Sequence, residues 1–428
     1  MRYRWFAWAL AAVAVVGLAV RVAYVLLEQR DIDFGGDARF YHDGANLLAD
    51  GKGFISPFEY HRGHVVEAAD HPPFYLVFLA IPSALRLTST LTHLLWSCVL
   101  GTATIVLVGL LGRAIVNERV GIVAAALLAV FPDAWMSDGS LLAETAAMFT
   151  ATLALLLAYA CWRHPSWRRF AAVGAAIGAA ALARSELILL VAALLLPLGI
   201  LVKGADWRQR LRWLGIGALA ALIVLAPWVG YNLVRFRKPL LLSSQFGPLL
   251  ASANCDTTYY GRLLGFFSIP CDRAIARREI APGLDESERD SIYRREALEY
   301  VRGHASRLPV VMPARAGRVL GVFRPGQQIQ IDSFLNQYGV GFVRAALYSF
   351  QAIAVLGLVG AIVLRRRRTV PLFPLLATPA VVLVTVLVTY GLTRFRFAAE
   401  TSLIVLSAVA IDAAVVRLRS RRGPEGAG

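Results

Sequence analysis

Charged residues are scarce in this chain. Asp, Glu, Lys and Arg make up 17% of its 428 residues, whereas hydrophobic residues make up 57%, and the mean hydropathy is +0.59. A soluble globular domain does not have enough polar surface to cover so much apolar area. The composition therefore excludes a soluble protein and indicates a polytopic membrane protein.

Acidic residues are fewer than basic ones, and nucleotide-binding motifs are missing. The net charge of +16 arises from 44 Lys and Arg residues against 28 Asp and Glu residues. The basic residues lie between apolar runs rather than along one stripe, which is typical of cytoplasmic loops and argues against nucleic-acid binding. The sequence has no GxxxxGK[ST] and no strand-linked GxGxxG, so no nucleotide cofactor is predicted. The Asp-x-Asp pair at Asp31 and Asp33 is therefore a weak signal for a nucleotide-sugar site.

Ten apolar runs are predicted to cross the hydrocarbon core, which is about 30 Å thick. They are residues 5–27, 91–112, 120–132, 144–161, 170–183, 187–202, 213–233, 342–364, 370–392 and 397–416. The first run has no small-residue cleavage site, so we expect an uncleaved span rather than a signal peptide. With the N-terminus inside, the arginine clusters between the runs fall on the cytoplasmic side. We expect an all-α protein of the plasma membrane with both termini in the cytoplasm.

This topology predicts one membrane domain over residues 1–416 and a basic cytoplasmic tail over residues 417–428. Two hydrophilic loops, residues 28–90 and 234–341, then face outward. Residues 74–87 in the first loop are apolar but too short for a span, so we expect a helix on the outer face. In the second loop a capping box at Asp285–Glu288 predicts an amphipathic surface helix.

Cysteine is rare, with four residues in the whole chain. Cys98 and Cys161 fall in predicted spans and are expected to be packing residues. Cys255 and Cys271 lie in the second outer loop, where an oxidising compartment would let them form a disulfide. Metal ligation by these two cysteines alone is the weaker interpretation.

The first outer loop concentrates the ionisable residues that the spans lack. Its segment 34–87 contains Asp37, Asp43, Glu67, Asp70, His42, His61, His64 and His71. An outward-facing active site without a nucleotide needs a substrate that is already activated. A lipid-linked phosphate reached from within the bilayer meets that need.

A series of short motifs resembles the bacterial membrane glycosyltransferases related to protein O-mannosyltransferases and to the aminoarabinose transferase of lipid A, which form family 39 of the glycosyltransferase-C superfamily. The motifs are GGDARFYHDGANLLADGKGF, HPPFYLVFLA, SLLAETAAMF, AALARSELILL, NLVRFRKPLLLSS and RFRFAAETSLIVLSA. The resemblance implies the glycosyltransferase-C fold and transfer of a hexose or pentose from a polyprenyl-phosphate carrier at the outer face. Ala38 departs from the pattern, since many relatives have a second acid there. The short outer loops leave the acceptor, whether lipid, glycan or protein, unspecified.

The resemblance also implies roles for individual acids. Asp37 is the expected catalytic base, because inverting transfer needs a carboxylate that takes the acceptor's proton. The alternative is that Asp37 caps the helix that it begins. Glu144 matches the family's second-loop acid, and the alternative for it is an acid placed favourably at a helix N-terminus. Asp133 and Asp138 compete with Glu144, and Asp138 together with Asp37 would give a divalent cation hard oxygen ligands.

The predicted substrate-binding residues are Tyr41, His71, Arg184, Arg235, Arg394 and Arg396. His71 belongs to the HPP motif, and Tyr41 is expected to anchor the first loop at the membrane interface. Guanidinium groups bind phosphate oxygens bidentately, which suits the four arginines to a donor phosphate. Arg237 and Lys238 are further candidates on the same side. Snorkelling at the membrane interface is the alternative for all of these cations.

Two other classes of function remain open from the sequence. A transporter or lipid flippase would have ionisable residues and broken helices near the bilayer midplane and often an internal repeat. The sequence shows no such repeat, and the predicted spans have few acids at their centres. A polymerase or ligase of surface polysaccharide would share the lipid-phosphate chemistry.

Overall fold

The computed structural model describes residues 2–421, most of which are helical. The first eleven α-helices are α1 (Arg2–Tyr24), α2 (Gly36–Ala49), α3 (Pro57–Tyr60), α4 (Phe74–Ala84), α5 (Thr90–Ile115), α6 (Glu118–Val130), α7 (Pro132–Asp138), α8 (Glu144–Arg163), α9 (Trp167–Ala183), α10 (Leu196–Leu201) and α11 (Trp207–Arg235). The other nine are α12 (Phe246–Ala253), α13 (Asp256–Tyr259), α14 (Ile269–Glu279), α15 (Glu286–Gly303), α16 (Leu308–Val319), α17 (Pro325–Asn336), α18 (Val340–Arg367), α19 (Phe373–Val388) and α20 (Phe397–Arg421). Within residues 2–421 there is no strand beyond one isolated bridge, Ile55–Glu67. The predicted all-α class is confirmed.

Six helices are long and apolar enough to cross a membrane: Arg4–Gln29, Thr90–Ile115, Glu144–Arg163, Trp207–Arg235, Val340–Arg367 and Thr393–Ser420. The pair α6 and α7, bent by 59°, makes a seventh if it is counted as one span. The predicted number of ten is not confirmed. Three of the predicted runs correspond to α9, Ser185–Leu201 and α19, of 17 residues or fewer. At 1.5 Å per residue such helices reach about 25 Å, which is less than the hydrocarbon thickness.

The core of the membrane part is built from helices that approach closely at small residues. An added Cβ at Gly174 of α9 would collide with the backbone of Gly217 in α11. An added Cβ at Gly360 of α18 would collide with the backbone carbonyl of Leu406 in α20. Since lipid tails are as apolar as the side chains, such close backbone approach is a main source of helix association in membranes.

The two hydrophilic loops fold into short helices at the same end of the bundle. In the first loop α4 packs on α2, and its 11 residues agree with the predicted helix that does not cross. In the second loop α15 begins with the predicted capping box of Asp285 and Glu288. A disulfide joins Cys255 and Cys271. The loops therefore form a helical layer over the ends of the spans.

The predicted C-terminal tail begins inside a helix. Helix α20 continues to Arg421, so residues 417–421 extend the last span. Residues 422–428 lie outside the described residues.

Candidate active site

The backbone at the start of α2 directs Asp37 away from a capping role. The N-cap residue is Gly35, and no side chain caps this helix. Gly36 has a φ of +54°, a left-handed conformation that glycine adopts at little cost. Asp37 follows in the first turn. The alternative interpretation of Asp37 as a helix cap is wrong, and its carboxylate is free for other contacts.

Those contacts are with Arg394 and His71. Arg394 Nη2 donates to Asp37 Oδ2 over 3.0 Å, and His71 Nε2 lies 3.6 Å from Asp37 Oδ1. The Asp37 side chain is 38% exposed. Arg394 thus holds one oxygen of the carboxylate and His71 lies beside the other, while the side chain stays partly exposed, as a base acting on a bound substrate needs to be.

Glu144 joins Arg394 to a second arginine. It is the first residue of α8 and is fully buried. Its Oε1 accepts hydrogen bonds from Arg394 Nε at 2.8 Å and from Arg184 Nη1 at 2.5 Å. Arg184 Nε in turn donates to Glu186 Oε1 at 2.5 Å. Asp37, Arg394, Glu144, Arg184 and Glu186 therefore form one continuous ion-pair chain, which we call the outer charge network.

The network has distinct effects on two groups of the first loop. Burial opposes ionisation of Asp37, but Arg394 and then His71 outweigh it and hold the pKa of Asp37 well below its usual range. Burial, and then the charge of Asp37, raise the pKa of Tyr41 well above its usual value. The Tyr41 ring is buried and stacks on His71 with 5.0 Å between ring centroids. Tyr41 thus packs against the ring of His71 and remains a neutral phenol.

A cavity adjoins the outer charge network, and we call it the arginine cavity. Its empty volume is about 280 Å³, and its charged lining residues are Glu144, Arg184, Glu186 and Arg394. Its other walls are mostly apolar and include Leu187, Val381, Val382, Phe395 and Ala398. Within residues 2–421, Arg184 Nη2 and Arg394 Nη1 have no hydrogen-bond partner. Each of the two arginines that line the cavity therefore keeps one nitrogen without a hydrogen-bond partner among the described residues.

Arg235 and Arg396 do not join the predicted phosphate site. Arg235 is buried and bonds Glu67 at 2.6 Å and the backbone carbonyls of Phe54 and Ala68. Arg396 is buried between Asp133 at 2.6 Å and Glu400 at 2.8 Å. Both guanidinium groups are occupied by partners within the protein, so the structure does not bring them together with Arg184 and Arg394. Arg237 and Lys238 contact α15 instead.

Asp138 lies inside the bundle and does not contribute to a metal site. Its Oδ2 accepts from Arg21 Nε at 2.6 Å, and both side chains are almost fully buried. Among the described residues no group of three or more His, Cys, Asp or Glu side chains is arranged to hold a metal ion. The residues present therefore do not fit the predicted divalent cation.

Sequence reasoning missed Glu186 and Asp332. Glu186 stands two residues after Arg184 in the motif ARSE, and that spacing was the available signal. Asp332 lies on α17, where the polar sequence of the second loop carries no motif. It lines a second cavity.

The chain shares its fold with known membrane glycosyltransferases. Residues 70–231 match the sequence model of the dolichyl-phosphate-mannose-protein mannosyltransferase family. No curated protein matches the sequence. The oligosaccharyltransferase of Archaeoglobus fulgidus in its apo form superposes with a TM-score of 0.58 at 14% identity, covering 98% of this chain and 51% of that one. The same organism's AglB, in complex with an inhibitory peptide and a dolichol-phosphate, gives 0.57 at 17% identity, covering 100% and 53%.

ArnT from Cupriavidus metallidurans bound to undecaprenyl phosphate gives a TM-score of 0.46 at 15% identity, covering 97% of this chain and 80% of that one. The chain spans about half the length of the archaeal oligosaccharyltransferase. The likeness to the archaeal oligosaccharyltransferase, with TM-scores of 0.58 and 0.57, shows that this multi-pass membrane protein shares that enzyme's fold over about half of its length, in agreement with the glycosyltransferase-C-like fold that the motif series predicted.

Proposed function

We propose that this protein is a membrane glycosyltransferase that moves a sugar from a polyprenyl-phosphate carrier to an acceptor at the outer face of the plasma membrane. The observation that carries the proposal is the meeting of Asp37, Glu144, Arg184 and Arg394 beside the arginine cavity. A polyprenyl-phosphate sugar has an anionic head and a long apolar chain. The lining of the cavity matches both parts, because it combines two arginines with apolar side chains.

The donor phosphate would bind between Arg184 and Arg394. Each residue has an N–H group that no described residue uses, and guanidinium groups bind phosphate oxygens through such groups. The apolar chain would follow α19, which contributes Val381 and Val382 to the cavity. The same helix exposes Val384 and Val388 on its outside. A lipid bound along α19 could thus keep its head in the cavity and its tail in the bilayer.

Asp37 would act as the base in this reaction. It takes the proton of the acceptor nucleophile while that atom forms a bond to the anomeric carbon. The bond from the anomeric carbon to the phosphate oxygen breaks, and its electron pair leaves with the phosphate held by the arginines. In the free protein Arg394 keeps the pKa of Asp37 low, which weakens it as a base. A donor phosphate on Arg394 would share that attraction, so donor binding would strengthen the base.

Glu144 would be a positioning residue. It is fully buried, and its Oε1 holds one N–H of each arginine. That contact would fix the two guanidinium groups relative to each other before the donor arrives, which lowers the cost of binding. Since the Glu144 side chain is buried and its Oε1 already holds both guanidinium groups, we assign it a positioning role rather than that of the base.

The direction of the helices supports an outward-facing site. The first residue of α8, Glu144, is in the outer charge network, whereas α8 ends at Arg163. Helix α18 likewise ends in Arg365, Arg366 and Arg367. Arginine clusters favour the cytoplasmic side, which puts the opposite ends of these helices outside. In a background without the other cysteines, a cysteine replacing the exposed His64 should react with an impermeant thiol reagent added outside, and one replacing Thr369 should not. The reverse pattern would refute the orientation.

Transfer itself can be measured with purified protein in lipid nanodiscs. Radiolabelled polyprenyl-phosphate sugars are added with an extract of membrane acceptors, and the label that leaves the carrier is followed into lipid, glycan or protein products. We expect release by the wild type and by Arg237→Ala, a matched control on the outer loop. Absence of release with every sugar tested would refute the proposal, and long glycan products would favour a polymerase or ligase instead.

A further inference from the structure

A second cavity is also lined by Arg394. Its empty volume is about 400 Å³, and it is bounded by α7, α17, α18 and the residues Thr393 to Phe397. Because Arg394 lines both this cavity and the arginine cavity, a ligand whose phosphate is bound at Arg394 would place its next chemical group here.

Asp332 gives the second cavity its chemical character. The side chain is 6% exposed. Its Oδ2 accepts from Thr393 Oγ1 at 2.9 Å, and its Oδ1 accepts from Gln328 Nε2 at 2.9 Å. A carboxylate oxygen can accept a second hydrogen bond. Asp332 is therefore held in place with acceptor capacity left over, which suits the hydroxyl groups of a ligand.

The charges around Asp332 determine which part of a donor fits. The nearby Arg396 is already paired with Asp133 and Glu400, so it does not offer a free cation to a phosphate. Burial is the main cause that raises the pKa of Asp332, to about 6, so the group is mostly ionised at pH 7. An ionised carboxylate repels phosphate and accepts hydrogen bonds from hydroxyls. The cavity thus disfavours the anionic head and favours a hydroxylated ring.

The remaining walls suit a ring with one apolar face. Ile329, Leu347 and Phe397 line the second cavity together with the amide of Asn336. The Asn336 amide donates to the backbone carbonyl of Asp332 at 3.0 Å, which leaves its oxygen as a further acceptor. A sugar ring presents hydroxyls at its edge and C–H groups on its faces, and both can be matched here.

We propose that the second cavity is the subsite for the sugar ring of the donor, and that Asp332 is its specificity-determining residue through hydrogen bonds to ring hydroxyls. This inference rests on the proposed function. It assigns the phosphate and the sugar to different cavities that meet at Arg394.

Three probes separate the two assignments: undecaprenyl phosphate without a sugar, undecaprenyl phosphate-linked mannose and undecaprenyl phosphate-linked glucose. Their affinities are measured for the wild type, Asp332→Asn and the control Asp272→Asn, which alters another acid of the second loop. We expect Asp332→Asn to weaken binding of the better sugar-bearing probe by about tenfold or more, the scale of a hydrogen bond to a charged group. The affinity for bare undecaprenyl phosphate should stay within about twofold, because that probe leaves the second cavity empty.

A second variant tests the same subsite without replacing Asp332, so that a folding defect of Asp332→Asn is not mistaken for the loss of a sugar contact. Thr393→Val removes the hydroxyl that holds Asp332 Oδ2 and should give a smaller loss with the same selectivity for sugar-bearing probes. Equal losses for bare and sugar-bearing probes, or no loss for any probe, would overturn the subsite. So would a wild type that binds the bare carrier as tightly as both sugar-bearing ones. A wild type that binds none of the three would instead refute the proposed function.

Discussion

Two arginine–carboxylate sites in this protein use the same chemistry for different ends. Inside the bundle, Arg21 and Asp138 are 1% and 0% exposed, and Arg21 also donates to the backbone carbonyls of Gly17 and Ala129. At the outer end, Arg184 and Arg394 are 19% and 18% exposed, and each has an N–H group without a partner among the described residues. The inner pair is closed, whereas the outer charge network is open to a ligand.

The difference shows what distinguishes a structural ion pair from a candidate site. Removing one partner of a buried pair leaves an uncompensated charge, so its main effect is on folding. Removing a member of a partly open network leaves charges that water or substrate can still solvate. The inner pair should therefore control stability, and the outer charge network should control activity.

The largest expected effect is the loss of stability in Asp138→Leu. It leaves Arg21 buried without its carboxylate, which should cost about 3–5 kcal/mol of unfolding free energy. Thermal unfolding in detergent, followed by tryptophan fluorescence, measures the loss. The double variant Arg21→Met with Asp138→Leu removes both charges and should recover most of the stability. If the single variant Asp138→Leu kept the wild-type unfolding temperature, the inner pair would not control stability and the distinction between the two sites would be wrong.

Asp37→Asn is expected to lose activity while its stability stays nearly unchanged. Asparagine keeps the size of the side chain but does not accept the proton of the acceptor, so turnover should fall by about a hundredfold or more. Its unfolding temperature should stay close to that of the wild type, because Asp37 is partly exposed. Transfer rates at saturating donor and the unfolding curve are compared on the same preparation. Turnover near the wild-type rate would refute the role of Asp37 as a base.

A graded effect on donor binding is expected at Arg184. Arg184→Ala should raise the KM for the donor by about tenfold or more, because it removes a charge-assisted contact to the phosphate. Arg184→Lys keeps the charge but loses the planar donor pair, so its KM should lie between those of the wild type and the alanine variant. Arg237→Ala provides the matched control. A fall in kcat at unchanged KM would place Arg184 in the chemical step instead.

The sequence was enough to identify four of the five members of the outer charge network, all except Glu186, but not to separate them from similar residues. Asp37, Glu144, Arg184 and Arg394 were all named from motifs, and the structure brings them together. Arg396 stands two residues from Arg394 in the same motif, yet its guanidinium binds Asp133, a residue 263 positions away. Such a pairing depends on how the helices pack, which a local sequence pattern does not indicate.

The predicted span number is not confirmed, for a related reason. Hydropathy detects apolar runs, but it does not show that Ser185–Leu201 is interrupted by a 3₁₀ and a π segment. Asp332 gave no signal at all, since it became notable only when α17 was placed against Thr393. Residue types and order were thus predictable, whereas the partners of each charge required the three-dimensional structure.

The smallest expected effect concerns the carboxyl groups of Glu286 and Asp70, a pair that has no arginine between its members. Glu286 Oε2 accepts from the Ala69 backbone N–H at 2.7 Å and from Ser244 Oγ at 2.8 Å, which ties the second loop to the segment before His71. Burial and then the charge of Asp70 raise the pKa of Glu286 to about 8. Near neutral pH the group is therefore mostly protonated in the folded protein.

The sign of the pH effect follows from that shift. A carboxyl whose pKa is raised on folding binds more protons in the folded state, so stability falls as pH rises from about 4.5 and the loss is complete once pH exceeds the folded value. Between pH 7 and pH 9, ionised Glu286 would face Asp70, and the contact between the loops should loosen. Limited proteolysis of the second loop should accelerate over this range in the wild type. Glu286→Gln, which stays neutral, should remove the pH dependence, and an equally steep acceleration in that variant would show that another group is responsible.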